Sequence, residues 1–168
     1  LEKVLKVEDI DESVKKGTFS TEKEIIDSLK KIRTKLQKET YPKYFHGEIL
    51  DKDLYSIKKV PLESNHMYAY YIPADLKDKK KGTFYINTSK PEDVNKHELY
   101  VLSLHEGIPG HHLQITHENR SAKPDYLKLG DTGFSEGWAL YCENLGDYLD
   151  DYEYYFKLNY EILRSMRL

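Results

Sequence analysis

The 168-residue sequence predicts an α+β fold in which helix dominates. Three observations carry that reading. Apolar residues recur at three- and four-residue spacings from Ile25 to Leu36, and three further segments, from about Glu92, over 134–149 and over 152–168, read as helix. Only two short runs, 66–72 and 83–88, have the tyrosine- and isoleucine-rich character of strands. A hydrophobic content of 39% over this length suffices for one core without disulfide or metal staples.

Residues 1–20 mix charges with Gly17 and form an ill-defined lead-in. Thr21-Glu22-Lys23-Glu24 is a capping box, and Ile25, Ile26, Leu29, Ile32 and Leu36 follow on one face, so an amphipathic helix is expected to end before Pro42. Apolar residues are sparse from Ile49 to Val60, and Pro61 with Glu63-Ser64-Asn65 marks a loop. Two strands come next, joined by the basic stretch from Lys77 to Lys81, which reads as a solvated connection. Ser89-Lys90-Pro91-Glu92 has the form of a second cap, so a helix is expected from about Glu92 through Val101 and Leu104 into a histidine-rich segment. Pro109-Gly110 must bend or interrupt it. Beyond Gly130-Asp131-Thr132-Gly133, helices are expected over 134–149 and 152–168. The expected organisation is a helical lead-in over 1–60 and a core over 61–168, incomplete at its C-terminal end.

The 26 basic and 29 acidic side chains nearly cancel without forming long blocks, so nucleic acid is not an expected partner. No apolar run approaches the ~20 residues that cross a bilayer. The lone Cys142 reads as a small packing residue rather than a reactive thiol. Fifteen tyrosines suit half-buried surfaces or the lining of a cleft.

The segment that carries chemistry is His105-Glu106-Gly107-Ile108-Pro109-Gly110-His111-His112. A hydrolytic zinc ion takes about three protein ligands and leaves one position for water. HExxH meets that need on a helix, with two histidines one turn apart and a glutamate that accepts a proton from the water. Here proline occupies position 109, so the standard spacing fails. His111 and His112 would lie about 9 and 10.5 Å along a straight helix from His105, too far to share an ion with it. Pro109-Gly110 can shorten that rise through a bulge, which leaves His111 or His112 as the second ligand. Glu106 is the candidate general base. Such a cluster has no packing rationale and conflicts with plain helix propensity, as functional sites do.

The text HEGIPGHHLQ over 105–114, GFSEGWALYCE over 133–143 and GTFYINT over 82–88 together resemble the bacterial domain of unknown function 885 family, with the motif anchors covering roughly 60–168. The resemblance implies a larger, mostly helical protein of which this chain is a piece, with a zinc-peptidase-like core. Gly110-His111-His112-Leu113 is similar to the Gly-His-x-Leu text of several metallopeptidase families, which implies His111 as the ligand and His112 as a catalytic neighbour that orients substrate. Glu136-Gly137-Trp138-Ala139 resembles the Glu-Gly-Phe-Ala element of gluzincin aminopeptidases, which implies Glu136 as the third ligand in a zincin or gluzincin-like core. Glu143, two helical turns later, then becomes either an acceptor for a ligand imidazole or a surface charge. The 83–88 strand is expected to be an exposed edge able to pair with a peptide. Tyr141, Tyr126 and His112 are candidate donors to a developing oxyanion.

The expected function is therefore that of a zinc-dependent metallopeptidase, with Zn2+ as cofactor and a peptide or peptide-like molecule as substrate. The alternatives are a metal-dependent amidase or esterase and a noncatalytic binding module derived from the same fold. The resemblance admits a secreted, periplasmic or lipoprotein setting, and the sequence selects none.

Overall fold

The computed structural model describes residues 12, 16–46, 54–64, 66–74, 81–124, 131–148 and 150–166. Within these residues the chain is α+β and mostly helical, with one three-stranded sheet. Residues 1–11, Lys77–Lys80 and Tyr126 lie outside the described residues.

Helix α1 spans Glu22–Lys35 and opens on the expected capping box: Thr21 Oγ1 accepts from the Glu24 amide, and the Glu24 carboxylate accepts from that of Thr21. Its face of Ile25 and Leu29 is fully buried. The helical path does not stop before Pro42. It widens into a π-helical turn over Leu36–Thr40 and continues as α2, Tyr41–Tyr44, where Pro42 falls in the first turn and its missing N–H costs nothing.

The sheet contains β1 (Ser56–Lys59), β2 (Ala69–Ile72) and β3 (Thr83–Ile86) in the order β1-β3-β2. β3 pairs with β1 in parallel and with β2 antiparallel, Phe84 standing opposite Ile57 and Tyr71. The sequence offered no sign of β1, because a four-residue outer strand places a single large apolar residue, Ile57, inward. Its presence overturns the reading of 83–88 as an exposed edge. β3 is central, and both rows of its backbone groups are committed to neighbours, so it has none left for a peptide.

Helix α3, Lys96–Glu106, begins later than expected. Ser89 is occupied with Asn87 Oδ1 and Pro91–Asp93 forms only a 3-10 turn, whereas Asn95 Oδ1 accepts from the His97 amide and is the true cap. α3 is buried nearly all round because α1, α5 (Thr132–Glu143) and α6 (Asp151–Ser165) pack on it. α4 is His111–Arg120. α5 is capped by Asp131, within the segment read as loop, and runs from Thr132 to Glu143, short of 149.

Ile25, Leu29, Tyr41 and Tyr55 share one apolar cluster with Phe84, Ile86, Leu99 and Leu102. The expected division at residue 60 therefore runs through a common core. Cys142 is fully buried, and burial pushes its thiol up to about 12, in keeping with a packing role. Among the described residues no helix is long and apolar enough to cross a membrane.

Candidate metal centre

The chain between α3 and α4 is a tight turn over residues 107–110, with the Ile108–Pro109 peptide cis. It resolves the spacing problem by a full break rather than the expected bulge inside one helix. Gly110 lies so close to the end of α3 that a Cβ there would stand 1.8 Å from the His105 carbonyl oxygen and 2.4 Å from that of Leu104. At Gly107 a Cβ would meet Tyr55 Oη at 2.2 Å and the Ser103 carbonyl at 2.6 Å. Only glycine permits both approaches. Across this break the His105 and His111 rings come together edge to face, 4.8 Å between centroids.

Glu136 arrives from α5. One of its carboxylate oxygens lies 3.5 Å from His105 Nε2 and the other 3.5 Å from His111 Nε2. The His105 hydrogen bond, then that of His111, holds the Glu136 carboxyl well below the usual carboxylate range, although the side chain is half exposed. Glu106 completes the group: a carboxylate oxygen of Glu106 and one nitrogen each from His105 and His111 all lie within 4.8 Å of one another.

The imidazoles are oriented from behind. His105 Nδ1 is 2.8 Å from Glu143 Oε1, both side chains being buried, so the imidazole donates there and the carboxylate accepts. Of the two readings of Glu143, the surface charge is excluded. His111 Nδ1 is 3.4 Å from Ser135 Oγ, which itself donates to Gln114 Oε1 at 3.0 Å. With its own proton spent on Gln114, Ser135 has only its oxygen to offer His111. Both partners hold the Nδ1 proton, so that once the Nε2 proton facing Glu136 gives way to a metal, each ring is left in the tautomer that ligates it.

The donor set fits a small divalent ion. Atoms about 2.1 Å from a tetrahedral zinc stand about 3.4 Å from each other, which matches the contacts of Glu136 to the two imidazoles. Two neutral nitrogens with a carboxylate suit zinc chemically.

His112 stands apart from this group. It is 1% exposed, its Nδ1 is 2.7 Å from Tyr71 Oη, and its ring packs edge-on against Tyr55 and Tyr71. It faces the sheet because successive residues of α4 point about 100° apart. Tyr141 is exposed on α5. Two contributors escaped the sequence reading although both lie in the quoted 133–143 text: Ser135, and Trp138, whose Nε1 donates to the carbonyls of Pro109 at 3.0 Å and Gly110 at 3.3 Å.

Fold and site together define a mostly helical α+β protein with a two-histidine, two-glutamate centre built across three helices. The chain belongs to the family described as "Bacterial protein of unknown function (DUF885)", whose model matches residues 1–168. Among solved structures it is similar to "the putative lipoprotein from Colwellia psychrerythraea", with a TM-score of 0.77 and 23% identity over 94% of this chain. The chain spans 29% of that protein's length, and at this identity the likeness is one of fold. No curated protein matches.

Proposed function

We propose that this chain carries the centre of a zinc-dependent hydrolase, a metallopeptidase of gluzincin-like design. The observation that supports it most is that the Glu136 carboxylate lies 3.5 Å from both His105 Nε2 and His111 Nε2, each through one oxygen. His105, His111 and Glu136 would hold the metal, with Glu143 and Ser135 fixing the two rings. Bound there, zinc would supply a Lewis acid that polarises a carbonyl and brings the pKa of a water towards ~7.

Glu106 has the position of a general base. It follows His105 directly, it is only partly buried, and its carboxylate is within reach of both imidazoles. It would take a proton from the attacking water and return it to the departing amine. The half-exposed Glu136 leaves the centre open on the α5 side, where a peptide could approach. A peptide substrate is favoured because peptide bonds most need both carbonyl polarisation and protonation of the leaving group.

The test is hydrolysis of a peptide library by the full-length protein before chelation, after it, and after zinc is returned. Cleavage that disappears and comes back supports the reading. Cleavage indifferent to chelation contradicts it, and retained metal with cleavage of esters or other amides alone would move the assignment to that class.

A further inference from the structure

We propose that Trp138 is a positioning residue for the His105–His111–Glu136 centre, its indole N–H holding the turn that aims His111. The proposal rests on the reading of that centre as a metal site. Trp138 Nε1 lies 3.0 Å from the Pro109 carbonyl oxygen and 3.3 Å from that of Gly110, a bifurcated bond between α5 and the break after α3.

This turn is gripped from two sides. Its α3 side is backbone, since Gly110 packs directly onto the carbonyls of Leu104 and His105. Its other side is the indole. His111 follows Gly110 immediately, so a shift of the turn moves that imidazole, whereas His105 stays with α3. Glu136 is two residues before Trp138 on the same helix. One side chain therefore sets α4, which carries one nitrogen donor, in register with α5, which carries the carboxylate. The ring is itself fixed, tilted on Tyr141 at 5.9 Å between centroids and edge-on to Phe45 at 6.2 Å. A role in packing alone would need the ring and not the N–H. Partners that orient ligands from outside the coordination sphere change metal affinity about 10–100-fold, and the indole acts at one further remove through backbone.

The experiment compares full-length wild type with Trp138→Phe, which keeps an aromatic ring against Phe45 and Tyr141 and removes the donor. Zinc affinity is measured by chelator competition, and amide exchange over residues 107–112 is measured in the zinc-free proteins. Expected is a roughly tenfold or greater loss of zinc affinity, with faster exchange of the His112 amide, which donates to Gly107, and unchanged exchange in α6. Where Trp138→Phe fails to fold, 3-benzothienylalanine at position 138 retains the bicyclic shape without the N–H and serves the same comparison. A variant that binds zinc as tightly as wild type overturns this proposal alone, whatever its exchange rates. A wild type that takes up no zinc overturns the metal reading and this proposal with it.

Discussion

His105 Nδ1 and Glu143 Oε1 form a 2.8 Å hydrogen bond between two buried side chains on α3 and α5. A carboxylate is buried at such cost only with strong partners, and this one fixes the histidine tautomer. Glu143→Gln retains an acceptor of lower charge and should weaken zinc binding about 10–100-fold. Glu143→Ala leaves the imidazole donor unmet and should also cost about 1–3 kcal/mol of stability. Chelator competition and urea denaturation measure the two effects.

Glu106→Gln should separate chemistry from binding. The amide cannot take up a proton, so hydrolysis is expected to fall about 10²–10⁴-fold, while zinc content stays that of wild type because His105, His111 and Glu136 are untouched. Single-turnover rates and metal analysis on the same sample check both halves.

Two glycines near the centre should respond oppositely to alanine. At Gly110 the new methyl would stand 1.8 Å from the His105 carbonyl, and forced overpacking costs about 1–3 kcal/mol or more. At Gly137 nothing lies within 4 Å of the new carbon, and within α5 the change should stabilise by about 0.5–1 kcal/mol. Thermal denaturation distinguishes a Tm that falls from one that rises.

Away from the centre, burial lowers the pKa of His97 below its ordinary 6.5, against the opposing pull of Asp150 at 3.4 Å. The unfolded chain then binds the proton more readily than the folded one. The stability associated with a neutral His97 is present above about pH 6.5 and is lost as pH falls below it. Denaturant titrations from pH 7.5 down to 5.5 should show wild type losing stability faster than His97→Gln. Parallel losses would count against the shift.

Much of this was legible in the residues, for identifiable reasons. The Thr21 capping box and the α1 stripe are local signals, and each appears in the structure. The approach of a second histidine to His105 was legible because the wrong spacing demanded a distortion that Pro109-Gly110 could supply, whereas the choice of His111 and the part of Glu136 came from the resemblance of their text to metallopeptidase motifs. What could not be read was non-local. The central place of β3 depends on β1, whose one inward residue gave no alternation to detect. The start of α3 turned on Ser89 being engaged with Asn87 rather than capping. The orientation of His112 follows from Tyr71, 41 positions earlier.

The central claim is that His105, His111 and Glu136 together hold one divalent ion, and zinc titration of the full-length protein against Glu136→Ala tests it most directly. The account predicts one equivalent bound to this centre in the wild type and a loss of at least about 100-fold in affinity in the variant, as expected when one of three ligands is removed. Equal affinity in the two proteins, or no zinc bound by either, would contradict it.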